Sequence, residues 1–390
     1  MIKSPQILIT FLGANPIVPT TTIKTFANPS SEIYLFHTNN NSKIANVKQW
    51  SKRYNYQINY TEIEAFNIEK IIKMLNNNFN TNFFKNKIIH IDITGGTKEM
   101  ITSILNYFSI NIINTKNITI LYNRSEEFNC TNASTLKTTI MPIKSKFSLK
   151  EIRMLHIDSY TKKSPFNQNL QSLSKAIVTE NINQNGFQKW QNWKKDYIRN
   201  QCTKNGHSLK SNTQLGPLKF KFDMFVNINK LNFLQNQYYQ INELTQILSL
   251  KDNQATVDWF NGFWLETYVQ SIIKNTNIDN KSFEYEFNIT TKKPQFEIDS
   301  IVKIDNQTFV LSISTERSKR GLKLKIFEVM TRAVQLLGWK AKFGLICLSE
   351  DPEVLEEEVK NVRFNDDLKV FGKSHLENLN EHLHNWLINQ

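Results

Sequence analysis

The stretch HIDITGGTKEM, residues 90–100, holds the one adjacent glycine pair among the chain's 11 glycines. Before it, the β-branched run KIIHIDI (87–93) reads as a buried strand. After it, Met100, Ile101, Ile104, Leu105 and Phe108 recur at helical spacing. A strand that passes through glycines into a helix is where open α/β sheets take ligands. The first N–H groups of such a helix are unpaired, and glycine lets the backbone come close. Thr94 and Thr97 add hydroxyls there, and Lys98 adds a charge. The spacing is neither G-x-G-x-x-G nor the Walker pattern, which disfavours a nicotinamide or ATP-hydrolysing site. A plain tight turn is the competing reading.

Working outward, 7–12 reads as a strand, followed by a loop through Gly13, Asn15 and Pro16 and a helix from about Thr21. Strand patterns at 32–37, 57–63 and 118–122 alternate with helical patterns at 43–54 and 68–75. That alternation predicts a doubly wound parallel α/β sheet, closing at 118–122, with Gly13-Ala14-Asn15-Pro16 on the same edge as the glycine pair. A boundary is expected near Lys144, because Ser148 and Glu151 have capping-box spacing. The expected organisation is a first domain at 1–145, an intermediate region of unassigned fold at 146–250, and a second α/β domain at 251–390. In the intermediate region, KWQNWKKDYIR (189–199) is read as a helix with Trp190 and Trp193 buried and its lysines in water, in preference to a base-stacking surface.

The last third predicts a helix over 255–274 and a hairpin of strands 296–303 and 307–314 around Asp305-Asn306. A helix marked by Leu322, Ile326, Val329, Met330, Ala333 and Leu337 follows, then a strand at 343–348. Partners across a two-residue hairpin sum to a constant, so Asp299 falls opposite Ser312, with Ser314 on the same face.

Composition bounds the function. Of 390 residues, 40% are hydrophobic and 21% charged, an ordinary globular balance. No apolar run approaches the roughly 20 residues of a membrane span. Cys130, Cys202 and Cys347 are odd in number and far apart, which argues against a disulfide framework or zinc knuckle and predicts a reducing, cytoplasmic setting. The net charge of +13 favours a polyanionic partner, nucleic acid or nucleotide.

FLGANPIVP (11–19) followed by DITGGTKEM (92–100) resembles the CARF domain, the CRISPR-associated Rossmann-fold sensor. The closest resemblance is to CARF proteins carrying a C-terminal restriction-endonuclease-like domain, and it extends over 1–145 and 255–350. It implies a type III CRISPR sensor-effector, a homodimer that binds a cyclic oligoadenylate, cyclic tetraadenylate foremost, across its two-fold axis. Carried over by position, Gly13, Asn15, Thr94, Gly95, Gly96, Thr97 and Lys98 would line that pocket.

The resemblance also implies a PD-(D/E)xK nuclease site acting on DNA or RNA with Mn²⁺ or Mg²⁺. Asp299 matches the strand acid and Glu266 the helix acid, both as metal ligands. Ser312 and Ser314 stand where glutamate and lysine are expected. Either the missing groups come from nearby, with Glu316 or Glu328 as acid and Lys319 or Lys325 as base, or the domain no longer cuts and the protein is a ligand-responsive binder. A third reading has Thr97 and Lys98 assist cleavage of the ligand itself, although no general base is evident. Beside the hairpin, Arg317, Lys319, Arg320, Lys323 and Lys325 are expected to clamp a phosphate backbone.

Overall fold

The computed structural model describes the chain apart from residues 1–2, 80–82, 85, 112–114, 125–126, 144, 157–158, 162–165, 183, 205–207, 211–219, 237, 279–280, 292–294, 306, 338–340, 364–366 and 390. It divides into two compact units. One is Met1–Ser159 with Gln335–Gly338, and the other is Tyr160–Val334 with Trp339–Gln390.

In the first unit, β1 (Ile7–Leu12), β2 (Glu32–His37), β3 (Ile58–Glu62), β4 (Ile89–Asp92) and β5 (Ile118–Arg124) run parallel in the order β3-β2-β1-β4-β5. Strand β1 is buried along its whole length, as expected of a strand covered on both faces. The alternating helices are α1 (Ile17–Phe26), α2 (Ile44–Arg53), α3 (Ile68–Asn78) and α4 (Lys98–Asn111). Helix α5 (Leu149–His156) lies against α2, where Asn46 Nδ2 donates to the Met154 carbonyl at 2.8 Å. The Ser148–Glu151 capping box forms there: the Ser148 N–H donates to Glu151 Oε2 at 2.9 Å, and the Glu151 N–H donates to Ser148 Oγ at 3.2 Å.

The sheet does not close at β5. Strands β6 (Glu127–Asn132) and β7 (Thr138–Pro142) extend it antiparallel. β6 buries only Phe128 and Cys130 and β7 is almost wholly exposed, so the hydrophobic alternation is too short to announce them. The expected boundary at Lys144 lies outside the described residues.

The second unit is built on a mixed sheet. Strands β11 (Phe283–Thr291), β12 (Glu297–Ile304) and β13 (Gln307–Ser314) are antiparallel, and β14 (Lys342–Cys347) and β15 (Leu368–Phe371) join parallel to β13. The short β8 (Ser159–Thr161) edges β11, while β9 (Thr203–Lys204) and β10 (Ser208–Leu209) form a separate ribbon. In the β12–β13 hairpin Ile304 pairs with Gln307 and Ser300 with Leu311, as the two-residue turn requires. Asp305 takes a positive φ of 50°; Asn306 lies outside the described residues.

Residues 161–255 supply much of the helical layer. Helices α6 (Gln168–Ile182), α7 (Gln184–Trp193), α8 (Ile241–Ile247) and α9 (Asn253–Asp258) precede α10 (Trp264–Asn275), α11 (Lys319–Leu337), α12 (Pro352–Arg363) and α13 (Leu379–Ile388). Trp190 and Trp193 are buried and stacked, with centroids 5.0 Å apart, and Phe225, Phe260 and Trp264 pack around Trp190. The expected 255–274 helix is interrupted. A π-helical turn at Trp259–Phe263 separates α9 from α10, and a second π-helical segment, Lys194–Cys202, continues α7.

Candidate functional site

Each unit carries a cleft built from residues singled out in the sequence. In the first, the parallel order reverses between β1 and β4, so the loops after those strands diverge around a crevice at their carboxyl ends. The two loops touch. A Cβ on Gly13 would lie 2.5 Å from the Gly95 carbonyl oxygen, and one on Gly95 would strike the Phe11 carbonyl. Backbone meets backbone there, so both positions exclude any side chain.

The loop is held from below by a carboxylate the sequence reading passed over. Asp92, fully buried, accepts from Thr22 Oγ1 at 2.6 Å, Thr10 Oγ1 at 2.9 Å, Thr94 Oγ1 at 2.6 Å and the Thr94 N–H at 3.0 Å. Burial pushes its pKa up, against the hydrogen bonds from Thr22, Thr94 and Thr10. Both threonine hydroxyls of the TGGT loop are committed. Thr94 Oγ1 donates to Asp92 and accepts from the Asn123 N–H at 2.8 Å. Thr97 Oγ1 donates to the Ala65 carbonyl at 2.9 Å and accepts from the Met100 N–H at 3.2 Å, capping α4.

A cleft of about 490 Å³ opens above, lined by Gly13, Gly95 and Thr97 together with Asn41, Lys43 and the exposed Phe66. Asn41, also unforeseen, donates to the Leu12 and Gly13 carbonyls at 2.8 and 3.1 Å and so braces the first loop. Thr94, Gly96, Lys98 and Asn15 are not among the lining residues. Asn15 accepts from the Ile17 N–H at 3.0 Å at the start of α1, and Lys98 is exposed.

The second cleft, about 460 Å³, brings Glu266 on α10 to Asp299 on β12 and Ser312 on β13. Asp299 Oδ2 accepts from the Ile313 N–H at 2.6 Å and from Ser312 Oγ at 3.3 Å. Desolvation raises the Asp299 pKa to about 6. Glu266 is pushed well above the usual carboxylate range by burial first, then by the charges of Asp299 and Glu297. Lys325, Glu328 and Arg332 of α11 line the same cleft. Glu328 pairs with Arg332 and lies 3.6 Å from Lys325.

Ser314, Glu316 and Lys319 do not line this cleft. Ser314 Oγ accepts from the Glu316 N–H at 3.1 Å, and Glu316 accepts from the N–H groups of Arg317 and Ser318 ahead of α11. Lys319 pairs with Glu358 of α12. Two recessed carboxylates whose charges repel form a donor set that fits a divalent cation. Mg²⁺ commonly takes one or two carboxylates, with water and substrate phosphate completing its shell. Among the described residues no group of three or more His, Cys, Asp or Glu is placed to hold a metal unaided.

No protein-family model and no characterised sequence matches the chain. Solved structures do. Protein VC1899 from Vibrio cholerae aligns over 97% of both chains with a TM-score of 0.66 at 14% identity. Can2 from Sulfobacillus thermosulfidooxidans, solved in complex with cyclic tetra-adenylate, covers 98% of this chain and 97% of its own, with a TM-score of 0.63 at 16% identity. The chain has the CARF–nuclease fold. A type III CRISPR defence DNA nuclease activated by cyclic oligoadenylate matches 88% of this chain and 45% of its own, with a TM-score of 0.50 at 10% identity.

Within the nuclease-like unit of this CARF–nuclease fold, the basic segment is only partly available. Glu358 engages Lys323 at 2.7 Å as well as Lys319. The Arg317 guanidinium sits 4.3 Å from the Phe187 ring centroid, Lys325 faces the cleft, and Arg320 is exposed. Lys194 departs from the water-facing role expected of the lysines beside Trp193. It is buried and donates to the Asn261 carbonyl of the π-helical turn at 3.3 Å. Burial foremost, with Arg199 and Arg317 nearby, lowers its pKa to about 8.

Proposed function

We propose that this protein is a type III CRISPR sensor-effector that binds a cyclic oligoadenylate, cyclic tetraadenylate foremost, at the Gly13–Gly95 cleft of a homodimer. Binding controls metal-dependent phosphodiester hydrolysis at the second cleft. The observation that carries this reading is the convergence of Lys325 and Glu328 on the cleft that already holds Glu266 and Asp299. Three residues apart on α11, they supply an acid and a cation in place of the pair missing at Ser312 and Ser314, whereas Glu316 and Lys319 are engaged elsewhere.

Glu266 and Asp299 would hold Mg²⁺ or Mn²⁺, which supplies Lewis-acid activation of a phosphoryl oxygen and of water. Lys325 would stabilise the charge developing on the phosphate, and Ser312 and the Ile313 N–H fix the Asp299 carboxylate.

A second reading, a ligand-responsive nucleic-acid binder that no longer cuts, is favoured by the pairing of Glu328 with Arg332 and by the two-carboxylate metal set. The deciding experiment incubates the full chain with cyclic tetraadenylate and Mn²⁺ and follows plasmid, single-stranded DNA and RNA. Cleavage that requires ligand and metal and is lost in Asp299→Ala and Lys325→Ala supports catalysis at this site. Intact substrates with calorimetric ligand binding support the second reading, and absence of ligand binding overturns both.

A further inference from the structure

The second cleft has a chemically mixed lining. Glu266, Asp299, Lys325 and Arg332 make part of it polar, while Trp259 and Phe263 add aromatic surface. Phe263 is 52% exposed, although the residue after it, Trp264, is fully buried. It closes the π-helical turn at Trp259–Phe263, and such turns mark functional sites more often than ordinary helix does. A phosphate backbone alone needs only the polar lining. An aromatic face open to solvent beside it suits a planar ring presented flat, and a volume of about 460 Å³ is that of a small-molecule site rather than a shallow groove.

Resting on the functional reading above, we infer that Phe263 is the residue that stacks an unpaired nucleobase next to the phosphate that a metal on Glu266 and Asp299 would hold. Bases in a duplex are already stacked and offer no free face, whereas any unpaired base does. The ring would therefore set which nucleotide is presented, through stacking strength.

The test uses the full chain with Lys325→Ala to block hydrolysis while leaving both carboxylates in place, in the presence of cyclic tetraadenylate and Mn²⁺. Single-stranded oligonucleotides carrying 2-aminopurine are followed by anisotropy and by base fluorescence. Stacking on one aromatic ring is worth about 1–3 kcal/mol per base, so Phe263→Ala is expected to weaken binding about 5- to 150-fold and to abolish the quench. Phe263→Trp retains both. Phe263 is exposed, so an unchanged melting temperature accompanies the loss. Binding of Phe263→Ala within twofold of the parent, a quench that survives it, or no binding by the parent overturns the inference. A wild-type protein that cuts nothing, with these binding results intact, overturns the nuclease reading and leaves the stacking role standing.

Discussion

Replacing Asp299 with asparagine in metal-free protein is expected to stabilise it, the reverse of the usual result for a hydrogen-bonded residue in a recess. The folded protein holds the Asp299 proton up to about pH 6, against 3.8 for an ordinary aspartate. The Asp299 contribution to stability is therefore greatest at acidic pH, declines as pH climbs through that interval, and levels off above it. The full displacement corresponds to roughly 3 kcal/mol at neutral pH. Asparagine keeps an acceptor for the Ile313 N–H but loses one carboxylate oxygen, worth about 1 kcal/mol, which leaves a net gain of about 2. For a unit of roughly 230 residues, that raises its melting temperature by about 4–8 °C. Scanning calorimetry with a chelator near pH 7.5 should show the gain, and near pH 4 the gain should vanish. Added Mn²⁺ should then stabilise the parent and not the variant. A variant that melts below the parent near neutral pH, or a difference indifferent to pH, would refute the claim that burial of Asp299 outweighs the compensation from Lys325.

Gly95→Ala forces a Cβ onto the Phe11 carbonyl and is expected to cost about 2–3 kcal/mol or more and to abolish calorimetric ligand binding, since backbone cannot yield as a side chain would. Thr22→Val removes the 2.6 Å donor to Asp92 and should cost about 1–3 kcal/mol by chemical denaturation, with the loss shrinking in acid as Asp92 protonates. Trp193→Ala should destabilise the second unit by about 3–5 kcal/mol. Glu358→Gln releases Lys319 and Lys323, and titrations of DNA at several salt concentrations should show the salt slope steepen by up to about 2.

Elements that each carry their own signal were legible in the sequence. The run into TGGT placed the glycine loop after β4 beside the loop after β1, and the Asp305 turn fixed the register that sets Asp299 against Ser312. What escaped depends on partners remote in the chain. The aromatic core of the second unit joins Trp190, whose burial was legible, and Phe260 and Trp264 of the expected 255–274 helix to Phe225, which comes from a stretch with no pattern of its own. Strands β6 and β7 are recruited by the open edge of β5 rather than by their own pattern. Asp92 looks like any strand-ending aspartate until Thr10 and Thr22 arrive from elsewhere. Which of Glu316 and Glu328, and of Lys319 and Lys325, lines the cleft depends on how the chain runs into α11, which linear spacing does not give.

The π-helical turn at Trp259–Phe263 accommodates one residue more than an α-helical turn would. Each residue advances an α-helix by about 100°, so winding the same residues as plain α-helix would swing Glu266 about a quarter of a circle away from Asp299, whereas deleting Asn261 would let the segment rewind with Glu266 still in phase. The width of that turn, rather than any one side chain, is therefore what keeps Glu266 turned towards Asp299 at this chain length.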